Sequence, residues 1–138
     1  MEFIKLNNGW NAEPNAPCPV IKINGSDLLL SFYMNCYEGY GKNDIGILNF
    51  HNCVQFRLGT LNDEGFYRYG DIYKQHGVDW GWFYRIVGSD WKKKFDDPIY
   101  IENNSVFKEY NHYLFYFRDE DFECIATNYD FYISKKRP

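Results

Sequence analysis

With 138 residues, 25% of them charged and 21% aromatic, the chain is long enough for a single domain with its own core, and too aromatic to be a disordered polymer. A net charge of −4, with basic runs only at Lys92-Lys93-Lys94 and Lys135-Lys136-Arg137, argues against a nucleic-acid partner. The start MEFIKLNNGW has no apolar leader, no apolar run approaches a membrane span, and Cys18, Cys36, Cys53 and Cys124 lack paired spacing; together these predict a cytoplasmic protein with reduced thiols and no membrane partner.

The 13 Tyr, 12 Phe and 4 Trp, together with many β-branched residues, favour sheet over helix. Residues 1–6 predict a short strand. The stretch NNGWNAEPNAPCP is rich in Pro and Asn and should be irregular, held down by Trp10 packing onto the domain. Val20 to Met34 reads as a hairpin closing on Asn24-Gly25, which would pair Ile23 with Ser26, Lys22 with Asp27 and Ile21 with Leu28. From Ile45 to Leu58 the residues Leu48, Phe50, Val54, Phe56 and Leu58 share parity, and a bulge at His51-Asn52 would accommodate the polar interruption.

After the loop GTLNDEG (59–65), the segment 66–73 is a possible strand broken at Gly70, and Trp80 to Val87 is a firmer one. Ser89 is placed to cap a short helix running to about Phe95, with Pro98 ending it. Residues 99–102, IYIE, could add a strand. His112 to Thr127 predicts a hairpin with Tyr113, Phe115, Phe117, Phe122, Cys124 and Ala126 on one dry face. A four-residue loop from Asp119 to Phe122 would set Arg118 opposite Glu123 as a charge pair. Tyr129 to Ser134 supplies a last strand, and 135–138 read as a tail. Seven to nine short strands with at most one or two short helices predict a mainly β domain over residues 1–138, an antiparallel sandwich or flattened barrel.

Chemistry-bearing motifs are sparse. His51, His76 and His112 are widely spread, no HxH, HExxH or Cys-pair spacing occurs, and no glycine-rich nucleotide loop follows a strand, so neither metal nor cofactor is expected. Cys124 and His112 fall on opposite faces of their hairpin, which argues against a nucleophile–base pair and for a buried structural thiol. Two acidic turns, Asn62-Asp63-Glu64 and Asp119-Glu120-Asp121, could form a carboxylate pair if they met in space, although acids in turns are ordinary. The aromatic surplus carries more weight. Trp80, Trp82 and Tyr84 share one strand parity and would form a binding platform if that face points outward.

Islands of the sequence resemble a family of uncharacterised bacterial proteins. They are His112-Tyr113-x-Phe115-x-Phe117-x-Asp119-x-x-Phe122-Glu123-Cys124, the loop Arg57-x-Gly59 with Asn62-Asp63-Glu64, and the start Gly9-Trp10-Asn11-Ala12-Glu13-Pro14-Asn15. The resemblance implies a bacterial, intracellular origin and brings no activity with it. The expected function is a non-enzymatic protein-binding module, immunity- or inhibitor-like, whose negative charge steers it onto a basic protein partner. A small-ligand or carbohydrate module built on exposed aromatics is the second expectation. The third is a hydrolase using Asp63, Glu64, His112 and Glu123. Candidate binding residues are Trp10, Arg57, Asn62, Asp63, Glu64, Trp80, Trp82, Tyr84, His112 and Glu123; no catalytic residue is assigned.

Overall fold

The computed structural model describes residues 1–62, 65–66, 73–95 and 109–138. Within them the chain forms an antiparallel β-sandwich of nine strands: β1 (Glu2–Lys5), β2 (Val20–Asn24), β3 (Asp27–Tyr33), β4 (Ile45–His51), β5 (Gln55–Gly59), β6 (Phe83–Val87), β7 (Asn111–Tyr116), β8 (Asp121–Ala126) and β9 (Asn128–Ser134). One sheet runs β1-β6-β7-β8-β5 and the other β2-β3-β4-β9. Among the described residues helix includes one turn, α1 (Asp90–Lys93), 3-10 turns at Cys36–Glu38 and Lys74–His76, and the helical residues Gly65 and Phe66. No helix among the described residues is long and apolar enough to cross a membrane.

Period-two alternation builds the core between the sheets. Leu28, Leu30 and Phe32 of β3 and Leu48 and Phe50 of β4 face Phe83, Tyr113, Phe115, Phe122, Cys124 and Ala126. Trp10 is inserted among them, stacked on Phe131 at 4.0 Å between ring centres and 5.9 Å from Phe32. The five-stranded sheet is also covered on its other face. Tyr84, Ile86, Leu114 and Tyr116 lie under Phe66, Tyr73 and Val78, while Ile125 lies under Phe95 and Tyr110. Burial on both faces explains why β7 reads as a nearly continuous aromatic run rather than an alternation.

Both predicted hairpins form with the expected faces but shifted pairings. The first closes on Gly25-Ser26, so Asn24 pairs with Asp27 and Ile23 with Leu28. Gly25, at φ +62°, takes the left-handed position that the turn requires. Asp27 is thereby released from Lys22; its carboxylate accepts from the Asn52 amide at 3.2 Å and meets the His51 Nδ1 at 3.2 Å. In the second hairpin Tyr116 pairs with Asp121 and Leu114 with Glu123, leaving Phe117 to Glu120 as the four-residue loop. The expected Arg118–Glu123 pair is therefore absent: Arg118 lies in the loop, beside Asp119 and Asn15.

Asn52 is a corner rather than a bulge. It adopts φ +49° and carries the chain from β4 in one sheet to β5 in the other. The strand expected from Trp80 starts only at Phe83, because Gly81 turns the chain at φ +87°. Ser89 caps α1 as expected, its Oγ accepting from the Lys92 amide at 3.2 Å. The supposed tail is bound down: Lys135 pairs with Asp44, and the Arg137 guanidinium donates to Ser31 O at 2.9 Å and Cys18 O at 2.7 Å. The possible strand 99–102, Pro98 and most of the segment 66–73 fall outside the described residues.

Candidate functional site

Two features stand out once the sandwich is built: a buried polar cluster on the outer face of the five-stranded sheet, and an apolar rim along its β5 edge. The cluster follows from register. Pairing Arg57 with Glu123 across β5–β8, and Leu114 with Glu123 across β8–β7, brings the side chains of Arg57, His112 and Glu123 to one face. The Glu123 carboxylate is shielded from water and saturated with donors. Its Oε1 accepts from the Tyr73 hydroxyl at 2.6 Å and from His112 Nε2 at 2.8 Å. Its Oε2 accepts from Arg57 Nε at 2.5 Å and also pairs with the Arg57 Nη2. Burial pushes the carboxyl upward, but the hydrogen bonds from His112 and Tyr73 and the charges of His112 and Arg57 outweigh it, and its pKa ends below the usual carboxylate range.

His112 continues the chain of contacts. Its Nε2 lies 2.8 Å from Glu123 Oε1, and its Nδ1 lies 2.5 Å from the Ser89 hydroxyl. Trp91 of α1 closes over the imidazole edge-on, 5.0 Å between ring centres, and the Arg57 guanidinium lies 4.9 Å from the Trp91 ring. Ser, His and Glu in sequence of contact have the composition of a hydrolytic triad. Ser89, His112 and Glu123 are all buried, Ser89 Oγ is occupied by its capping bond, and the carboxylate is spent on four internal donors. The cluster clamps β5, β7, β8, α1 and the Tyr73 turn together.

The other expected site residues scatter. Asn62 accepts from the Gly65 amide at 2.7 Å in its turn, while Asp63 and Glu64 lie outside the described residues. Trp10 belongs to the core. Trp80 is half-buried and stacked on Tyr116 at 4.7 Å; Trp82 is half-buried beneath the Lys5 ammonium; Tyr84 is buried, its hydroxyl accepting from the Asp79 amide at 2.9 Å. An outward platform of Trp80, Trp82 and Tyr84 therefore does not form, since Tyr84 points into the layer beneath Phe66 and Tyr73.

The rim was not singled out as a site by the sequence. Phe56 and Leu58 pair across the ladder with Cys124 and Phe122, so they have core-facing parity, yet they remain 40% and 42% exposed. Val54 at 42% and Ile23 at 55% continue the patch. The reason is position: among the described residues β5 ends its sheet and β2 ends the other. A cavity of about 250 Å³ opens between the β2–β3 turn and the start of β5, lined by Ile23, Asp27, Cys53, Val54 and Phe56 among others. Shared parity of Val54, Phe56 and Leu58 was readable as an apolar face; that this face sits at an edge depends on sheet order. Comparison with protein-family models, curated proteins and solved structures returns no match, so the functional reading rests on this geometry.

Proposed function

We propose that the protein is a non-enzymatic binding module that accepts an extended segment of another protein along β5. The observation that carries this reading is the exposure of Phe56 and Leu58 on a strand that, among the described residues, is paired on one side only. Such an edge offers backbone N–H and C=O groups for a further strand, and alternate side chains supply the apolar contacts. The partner strand therefore carries apolar residues at every second position. Net charge of −4 favours a partner with a basic surface, through the encounter rate rather than through the final contacts. An immunity- or inhibitor-like role, in which the accepted strand belongs to a toxin or enzyme, is the setting this chemistry fits.

The test is selection of short linear peptides from a random display library, followed by amide shift mapping on labelled protein. The expected result is a set of peptides with alternating apolar residues that perturb Val54 to Gly59 and bind at least about tenfold more weakly to the Phe56→Lys/Leu58→Lys variant. Near-UV circular dichroism of that variant should match the wild type, because both side chains are already half in water. Shifts that cluster away from β5, or undiminished binding by the variant, would overturn the reading.

A further inference from the structure

Cys53 and Cys124 are far apart in sequence and adjacent in the fold. Cys124 points inward from β8 and is completely buried between Phe122 and Ala126 in the core. Cys53 follows the Asn52 corner and precedes β5. Its amide donates to Ser26 O at 2.9 Å, its thiol reaches Gln55 O at 3.5 Å, and its side chain packs against the cluster that contains Cys124. The same residue lines the 250 Å³ cavity that opens beside Ile23, Asp27 and Phe56. One thiol thus lines a space that small molecules can enter, and the other is buried in the core cluster against which the first packs.

The electrostatics of the two thiols are opposed. A hydrogen bond from Cys124 is the largest influence on Cys53 and holds its pKa below the usual thiol value, against the upward push of burial. Burial drives Cys124 well above that value. Only the thiolate is an effective nucleophile, so the accessible member of the pair is the reactive one. Cys53 also lies outside the strand ladder, so it can approach Cys124 without breaking a strand pairing.

We propose that Cys53 and Cys124 form a peroxide-reactive dithiol, with Cys53 attacking and Cys124 resolving. The Cys53 thiolate attacks one oxygen of hydrogen peroxide; the O–O bond breaks, and the departing hydroxide takes up the proton lost from Cys53 to become water. Cys53 is left as a sulfenic acid. The Cys124 sulfur then attacks the Cys53 sulfur, the S–S bond forms and the S–O bond breaks. The released hydroxide takes the Cys124 proton as the second water. In sum two thiols lose two electrons, one peroxide gains them, and one disulfide and two waters result; a dithiol reductant reverses the step. This inference stands independently of strand docking at β5.

The experiment exposes the reduced full-length protein to a small excess of hydrogen peroxide, quenches with an alkylating reagent under denaturing conditions and maps the cysteine peptides by mass spectrometry. A crosslinked Cys53–Cys124 peptide is expected, appearing at least about tenfold faster than oxidation of the exposed Cys18. Cys124→Ala should stall at the Cys53 sulfenic acid and capture a cyclic dione probe, while Cys18→Ser/Cys36→Ser should behave as wild type. The wild-type map decides the matter even if the Cys124 variant fails to fold. A crosslink between other cysteines, or Cys53 oxidised no faster than Cys18, would overturn the proposal.

Discussion

At Glu123 a carboxylate is set into a sheet face whose neighbours are Leu114, Ile125 and Tyr116, and it is tolerated because four donors converge on it. Glu123→Gln keeps the shape but removes the charge and turns an NH2 group toward donors that have nothing to accept. The expected loss is about 2–4 kcal/mol in urea denaturation, at or below the range for breaking a fully buried pair because the Arg57 side chain, 56% exposed, can turn back to water. A loss under about 1 kcal/mol would show that the clamp is not structural. His51 gives a pH signature of the opposite kind. A hydrogen bond from its Nε2 to Asp130 at 2.6 Å, helped by Asp27 and opposed by burial, raises its pKa above 6.5. Its contribution is thus complete below about pH 6.5 and lost as pH rises through the raised folded-state value. The stability gap between wild type and His51→Gln should narrow from about pH 6 to pH 9, read by denaturation at each pH; a widening gap would refute the assignment. The sequence flagged Arg57, His112 and Glu123 but not their joining to Tyr73, Ser89 and Trp91. Those meetings are set by layers that pack long after local pattern has had its say.

Strand identity was legible wherever apolar alternation was clean, as in Leu28–Leu30–Phe32 and Leu48–Phe50. The closing pairs of the two hairpins were less so. Parity fixes which face is dry, whereas the exact register depends on which residue takes the positive φ and on partners elsewhere, such as His51 for Asp27. The Asn52 corner was read as a bulge because both features need a residue that tolerates the left-handed region in the middle of an apolar alternation. Gly46 shows what an element can hide in one position. A Cβ there would stand 2.5 Å from Met34 Sδ and 2.6 Å from the Phe32 ring, so β4 is glycine at this point to let the Phe32 and Met34 side chains cross it. Gly46→Ala should cost about 1–3 kcal/mol and lower the melting temperature, measured by calorimetry. An unchanged melting temperature would mean that the rings move aside freely.

Over the whole molecule, the class of fold could be derived from strand number and aromatic content, but sheet order could not, and sheet order is what leaves Phe56 and Leu58 at a rim. The same order has a temporal consequence. Strands β1 and β9 lie near the two ends of the chain, yet each completes a sheet by pairing with a distant partner, Phe3 with Ile86 and Leu48 with Phe131. The hairpins β2–β3 and β7–β8 can form early, because each closes only a short loop. Until the chain ends dock, β4 and β6 each present a bare side to any other strand nearby. Folding dominated by such distant pairings takes on the order of milliseconds to seconds. The interval of greatest aggregation risk is therefore the wait for β9, which follows the other eight described strands in the chain, to cover β4.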